Sequence, residues 1–226
     1  MTVDGAAPYK GLTQPIPLEK HSLYRKIERI VRPMAPGRVL EVGCMDGRYL
    51  ERLRGRGWSV AGIDLLPPPY GYIVQHDAGS PFPYEREFDL VIAAEVIEHI
   101  VETDAFLANC AAVLKPGGTL ILTTPNLLFW INRLRMLLGK TPKFAYWDYH
   151  VRMFVWNDLH EKIERHFAIE RVQGSHVLVG VRRSSLFEVF AKLGDKMPTL
   201  SAHFIVTARR RAEAERRSEH RAASRS

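Results

Sequence analysis

The sequence predicts an α/β fold, a doubly wound, mostly parallel seven-stranded sheet with helices on both faces. Three observations predict it. Short apolar runs alternate with helical stretches from Arg38 to Asn126, a glycine-punctuated turn marks the first strand-to-helix junction, and 226 residues without an internal repeat suit a single core.

Residues 1–20 are rich in proline and glycine and are expected to form a flexible N-terminal segment. In His21 to Arg32 (HSLYRKIERIVR), Leu23, Ile27, Ile30 and Val31 share one helical face, and Pro33 and Pro36 end that helix. RVLEVG is the first strand and GRYLERLRGRG the helix after it, closed by two glycines. WSVAGID and YIVQHD are the next strands, and the prolines of LLPPPYG between them leave little room for a crossover helix. FDLVIAAEV is the fourth strand, Glu102 to Lys115 an amphipathic helix closed by the turn Pro116-Gly117-Gly118, and TLILTTPN the fifth strand. Beyond it the spacing predicts helices over Asn126 to Lys140, Trp156 to His166 and Ser184 to Lys196, with FAIERV and AHFIVTARR as strands.

Composition excludes several classes. Cys44 and Cys110 have neither disulfide-framework nor metal-type spacing and read as reduced cysteines. The N-terminus carries no apolar signal region, and no run approaches the roughly 18 apolar residues that span a bilayer, so a cytoplasmic protein is expected. The formal charge of +7 is concentrated at the end of the chain, where Arg209 to Ser226 holds seven arginines against three glutamates. That tail lacks large apolar residues, so 211–226 reads as a basic flexible segment and no specific nucleic-acid partner is expected.

In a doubly wound sheet, ligands lie outside the carboxyl ends of the strands, where loops open into helix N-termini. The first such loop is Gly43-Cys44-Met45-Asp46-Gly47, and Asp64 ends the second strand where an acid can accept from ribose hydroxyls. The dinucleotide fingerprint would require glycine at 45 and 48, which are Met45 and Arg48, and this argues against a nicotinamide oxidoreductase. The signal is the ordered set of Glu41, Gly43, Asp64, Asp77, FDLVIAAEVIEH and LKPGGTLILTTPN.

With these segments in this order, and with HDAGSPFP and HVRMFVWNDL between and after them, the chain resembles the class I S-adenosylmethionine-dependent methyltransferases. The resemblance is to the small-molecule branch that includes the ubiquinone-biosynthesis O-methyltransferases, and it covers about residues 38–210. It implies a methyltransferase domain over 21–210 with an antiparallel last strand and a lid at about 126–148. It also implies S-adenosylmethionine as cofactor: Glu41, Gly43 and Gly47 around its methionine end, Asp64 on the ribose, Leu65 beside the adenine, Asp77 and the Ala78 backbone on the adenine edge, and Glu95 beside the sulfonium. Met45 stands where the family carries a middle glycine.

Methyl transfer from a sulfonium is an in-line displacement, so the protein aligns the acceptor and helps deprotonate a hydroxyl. Glu95, Glu98 and His99 lie past strand four, and their i, i+3, i+4 spacing would present them on one helical face. Three readings stand: a divalent-ion site (magnesium by its carboxylates, zinc by its imidazole), a metal-free base at His99, or acids complementing a helix dipole. His150, in the segment His150-Val151-Arg152, either faces the acceptor or anchors the lid with Arg152. The stretch 126–140 sets Leu127, Trp130, Ile131, Leu134, Leu137 and Leu138 against Arg133, Arg135 and Lys140, and reads as core packing, as a cap over the acceptor, or as peripheral membrane contact. The expected reaction is methyl transfer to a small apolar, aromatic, lipid-linked or glycan-type acceptor, at oxygen rather than nitrogen or carbon. The alternatives are an S-adenosylmethionine-binding module without turnover or an oxidoreductase on the same scaffold, and a nucleic-acid methyltransferase is disfavoured because EVIEH replaces an Asn/Asp-Pro-Pro-Tyr type motif.

Overall fold

The computed structural model describes residues 22–143, 150–177 and 192–211. The N-terminal segment, residues 144–148 of the expected lid, most of the expected helix at 184–196, and the tail beyond 211 therefore lie outside the described residues.

The chain runs α1 (Ser22–Val31), β1 (Arg38–Val42), α2 (Arg48–Arg54), β2 (Ser59–Asp64), β3 (Ile73–Gln75), β4 (Phe88–Ala94), α3 (Thr103–Val113), β5 (Leu114–Pro125), α4 (Trp130–Leu137), α5 (Trp156–Glu164), β6 (Phe167–Gly174) and β7 (His203–Arg210). The seven strands form one sheet in the order β3-β2-β1-β4-β5-β7-β6. β1 to β5 pair in parallel, and β7 runs antiparallel to both β5 and β6.

The buried sides of the helices account for the two layers flanking the sheet. Leu23, Ile27 and Val31 of α1 and Tyr49, Leu50 and Leu53 of α2 pack on Val39, Leu90, Ile92, Ile121 and Ile205. On the opposite face Phe106, Leu107 and Cys110 of α3 and Leu159 and Ile163 of α5 cover Leu40, Val91, Leu120, Leu122 and Phe204. Val39 and Leu40 thus point to opposite faces, as the twofold period of a strand requires. A buried ion pair ties α1 to the C-terminal half: Lys26 is only 3 % exposed, and its Nζ donates to Asp195 Oδ1 and to the Gly174 carbonyl, each at 2.5 Å.

Two expectations change. The turn Pro116-Gly117-Gly118 does not precede the fifth strand but lies within it: Phe88 faces Leu114 while Leu90 already faces Thr119, so the intervening residues bulge out. The helix expected from Asn126 begins only at Trp130 and ends at Leu137. Asn126 is fully buried, its amide donates to the Thr199 and Ser201 carbonyls, and its Oδ1 accepts from Leu128 N at 2.9 Å. These bonds draw 126–129 into a turn before helical hydrogen bonding starts.

The strand order reverses between β1 and β4, which lie side by side while their crossovers leave in opposite directions. Glu41, Gly43, Asp64 and Glu95 stand at or just past the carboxyl ends of β1, β2 and β4, the side of such a sheet on which ligands bind.

Candidate active site

The loop after β1 is shaped by three left-handed residues, Gly43 (φ 71°), Met45 (φ 48°) and Gly47 (φ 69°). Glycine is required at the first and last. A Cβ at Gly43 would stand 2.6 Å from Val96 Cγ2, and one at Gly47 would stand 2.6 Å from Ile73 Cδ1. Met45 takes the same backbone conformation at a cost of about 1 kcal/mol and turns its side chain outward, 44 % exposed.

Asp64 joins this loop to the next. Its Oδ2 accepts from Met45 N at 2.7 Å and its Oδ1 from Leu66 N at 2.9 Å. Each oxygen keeps a lone pair, so the carboxylate can take two further donors, as a ribose diol would offer. Leu65 beside it is exposed. Asp77 Oδ1 accepts from Gly79 N at 2.8 Å, which makes Asp77 the corner of a turn as well as an acceptor at the end of β3, with Ala78 half-buried behind it.

Glu41 is buried under the loop. Tyr24 Oη donates to its Oε1 at 3.0 Å, while Oε2 is buried without a partner among the described residues. Burial pushes this carboxyl up to about 8, against the opposing effect of the Tyr24 hydroxyl. The unpartnered Glu41 oxygen has room for the ammonium of an amino-acid ligand, and the acceptors Glu41, Asp64 and Asp77 fit the donors of S-adenosylmethionine. Tyr24 had no sequence signal beyond its place on α1.

The segment EVIEH differs from expectation. It forms only the short 3-10 turn Ile97–His99, and Glu95 stands apart from it in the left-handed region, at φ 58°. Glu95, Glu98 and His99 therefore do not share a helical face. Glu95 turns to β5 and β7: Thr123 Oγ1 donates to its Oε1 at 2.8 Å, and His203 Nε2 lies 3.4 Å from its Oε2. His203 Nδ1 is 3.0 Å from Ser175 Oγ, which itself accepts from the His203 backbone N–H at 3.2 Å. Burial pushes His203 down to about 4, so the ring is neutral. Sequence reasoning missed His203 and Ser175, because only the antiparallel register brings them beside Glu95.

Glu98 and His99 instead meet His150, their ligating atoms all lying within 4.8 Å of one another. Glu98 is fully buried. Its Oε2 accepts from Thr124 Oγ1 at 3.1 Å, Oε1 has no partner among the described residues, and burial together with the neighbouring Glu95 charge raises its carboxyl well above the usual range. The segment bearing His150 is pinned there by backbone bonds from Val151 N and Arg152 N to the Glu98 carbonyl, and by the Arg152 guanidinium on the Val101 carbonyl. Arg152 is the anchor, and His150 is left facing His99 at 4.9 Å between ring centroids. The cation-capable trio is thus Glu98, His99 and His150, with Glu95 outside it.

α4 follows β5 in the chain. Trp130 Nε1 donates to the Val177 carbonyl at 2.5 Å, and buried Asn132 accepts from Lys143 N at 2.8 Å. The far end of the apolar stripe is uncovered, Leu137 being 85 % and Leu138 63 % exposed. No helix among the described residues is long and apolar enough to cross a membrane.

A family model for a methyltransferase domain matches residues 19–169. The chain belongs to this methyltransferase family. Among curated proteins it is similar to the mitochondrial ubiquinone biosynthesis O-methyltransferase of Homo sapiens, 34 % identical over 112 residues, 42 % of this chain and 30 % of that protein. It is also similar to the ubiquinone biosynthesis O-methyltransferase of Bradyrhizobium diazoefficiens, 36 % identical over 118 residues, 45 % of this chain and 46 % of the relative. The matches thus span less than half the length of these curated relatives. Among solved structures, an S-adenosylmethionine-dependent methyltransferase from Mesorhizobium loti aligns with a TM-score of 0.61 at 16 % identity, covering 86 % of this chain and all of that one. A 1,6-didemethyltoxoflavin N1-methyltransferase from Burkholderia thailandensis, with bound S-adenosylhomocysteine, aligns with a TM-score of 0.59 at 18 % identity, covering 86 % of this chain and 80 % of that one. The seven-stranded fold is therefore that of the class I S-adenosylmethionine-dependent methyltransferases, and the cofactor of this methyltransferase family is S-adenosylmethionine.

Proposed function

We propose that this chain transfers a methyl group from S-adenosylmethionine to a hydroxyl of a small aromatic acceptor carrying an apolar tail, of the kind met in ubiquinone precursors. The observation that carries the reading is the pair of imidazoles, His99 and His150, brought together with Glu98 just past the carboxyl end of β4. The acceptor oxygen attacks the methyl carbon, the S–CH₃ bond breaks with its electrons staying on sulfur, and the hydroxyl proton passes to His99 or His150. Glu41, Gly43, Gly47, Asp64, Leu65, Asp77 and Ala78 hold the donor in this reading. The assay is transfer of labelled methyl to a prenylated catechol, extracted into organic solvent. Label should appear with the unmodified chain and fall by roughly 10² to 10⁴ with His150→Ala. Donor binding without label on hydroxyl, amine or carbon acceptors would instead identify a binding module or another chemistry. A [4+2]-cyclase on the same fold, with a TM-score of 0.57, makes that control worth running.

A cation at Glu98, His99 and His150 is a second reading, supported by the unpartnered Glu98 Oε1 beside two imidazoles. One carboxylate and two imidazoles suit zinc better than magnesium, which prefers oxygen ligands. Such an ion would polarise the acceptor oxygen. Calorimetric titration of zinc and magnesium into the wild type, Glu98→Ala and His150→Ala tests it, and null isotherms throughout would remove the metal.

The exposed Leu137 and Leu138 beside Arg133, Lys140 and Lys143 support peripheral contact of α4 with an anionic membrane, where lipid-linked acceptors reside. Trp130 is engaged with Val177, so Leu137→Glu is the cleaner probe. Co-sedimentation with anionic vesicles should weaken in that variant, and absence of binding by either protein discards the contact.

A further inference from the structure

A second pair of imidazoles, His176 and His203, stands at the same edge of the sheet as the residues described above. β7 runs antiparallel to β5 and β6, so its start and the end of β6 lie beside the carboxyl end of β5, where His203 pairs with Pro125. Past Gly174 the ladder continues, Ser175 N donating to the His203 carbonyl and Ala202 N to the His176 carbonyl. The two rings are 5.9 Å apart between centroids. Neighbouring Thr123 and Thr124 point to opposite faces of β5 and engage Glu95 and Glu98 respectively, so His203, which faces Glu95, lies across the strand from the group of Glu98, His99 and His150.

Two helices hold the turn that carries His176. Lys26 of α1 donates to the Gly174 carbonyl and Trp130 of α4 to the Val177 carbonyl, each at 2.5 Å. Tyr24, two positions before Lys26, donates to Glu41, so a single turn of α1 reaches both the acid under the glycine loop and the turn of His176. The half-buried His176 differs from its neighbour in hydrogen bonding. His203 has Ser175 Oγ at one ring nitrogen and Glu95 at the other, whereas His176 Nδ1 is buried without a partner among the described residues. Burial, with His203 and the Lys26 charge nearby, pushes His176 down to about 4, so the ring is neutral. An orphaned buried nitrogen weakens the fold, and a ligand group that bonds to it recovers that loss.

We infer that His176 is a specificity-determining contact for the acceptor, bonding through Nδ1 to a ring hydroxyl other than the one that is methylated. This rests on the methyl-transfer reading proposed above. A hydroxyl is the group that satisfies either tautomer of a neutral imidazole, since it donates to a bare nitrogen and accepts from an N–H. A site built to bond such a group discriminates against an acceptor that lacks it.

The experiment compares a prenylated catechol with and without a further ring hydroxyl as acceptors for the wild type, His176→Phe and His176→Gln. His176→Phe fills the ring space without a polar atom, and should raise KM for the further-hydroxylated acceptor about tenfold, with kcat and the KM of the plain catechol held within about twofold. His176→Gln supplies both a donor and an acceptor and should return KM to within about threefold of the wild type, which a merely space-filling histidine would not require. Should His176→Phe fail to fold, His176→Ala is read in the same way. Equal shifts for the two acceptors, or a shift for neither, overturn the inference and leave the methyl-transfer reading intact. Should the wild type bind S-adenosylhomocysteine yet methylate neither acceptor, that reading falls, and calorimetric titration of the same two acceptors into the S-adenosylhomocysteine complex decides the role of His176 by the same ratio. Failure of both acceptors to bind that complex overturns the inference as well.

Discussion

Replacing Glu41 by glutamine should change how stability depends on pH. In the unfolded chain this carboxyl titrates near 4.5, and in the folded protein burial pushes it up to about 8. Between those values the folded state holds a proton that the unfolded state has released, so rising pH favours unfolding. The slope is about 1.4 kcal/mol per pH unit, giving roughly 5 kcal/mol over the window. This stabilisation is fully present below about pH 4.5 and is lost as pH rises through about 8. Glutamine mimics the protonated acid, and its carbonyl can still accept from Tyr24 Oη. Glu41→Gln should therefore match the wild type within about 1 kcal/mol at pH 5 and exceed it by about 3 to 5 kcal/mol at pH 8.5. Urea unfolding followed by circular dichroism at half-unit steps of pH gives the difference curve, in which all other titrations cancel. A flat difference from pH 5 to 9 would refute the reasoning, because it would mean that Glu41 ionises in the fold as it does in the unfolded chain.

Three further outcomes follow from the geometry. Met45→Gly relieves the left-handed backbone but adds freedom to the unfolded chain, so the net gain should be only about 0.5 kcal/mol, and a loss above 1 kcal/mol in urea unfolding would show that the methionine side chain packs in solution. Asp64→Ala removes the acceptor for Met45 N, Leu66 N and the ribose, and should weaken S-adenosylhomocysteine binding at least 100-fold by calorimetry; a loss under tenfold would remove Asp64 from the site. Asp195→Ala removes the carboxylate that pairs with the buried Lys26 ammonium and should cost about 3 kcal/mol, or about 10 °C in Tm by calorimetric scanning, while Asp195→Asn should cost less.

Sequence patterns exposed most of the first half of the chain because its elements are built from neighbours. Val39 and Leu40, or Leu23 and Ile27, show their facing by period alone, and the prolines of 67–69 do leave β2 and β3 joined without a helix. Positions governed by distant partners could not be read in this way. Asn126 delays α4 because the carbonyls of Thr199 and Ser201 take its amide, and nothing within a helical window marks those groups as neighbours. The helical spacing of Glu95, Glu98 and His99 is real in sequence, yet Thr123 and His203 pull Glu95 out of register with the other two. His150 was visible as a candidate, but its pairing with His99 depends on backbone bonds from Val151 and Arg152 to the Glu98 carbonyl.

The bulge in β5 changes how the basic end of the chain should be counted. Looping out 115–118 leaves strand carbonyls without ladder partners, and arginines at the end of β7 supply donors: Arg209 reaches the Gly117 carbonyl at 3.0 Å and Arg210 the Leu114 carbonyl. Arg209 also pairs with Glu170, and Arg211 donates to the Phe167 carbonyl. Three of the seven terminal arginines thus serve as caps for irregular backbone, leaving four against three glutamates from residue 212 onward. A net charge of +1 there is too small to hold a polyanion by counterion release, so the high isoelectric point is in part a by-product of closing the sheet.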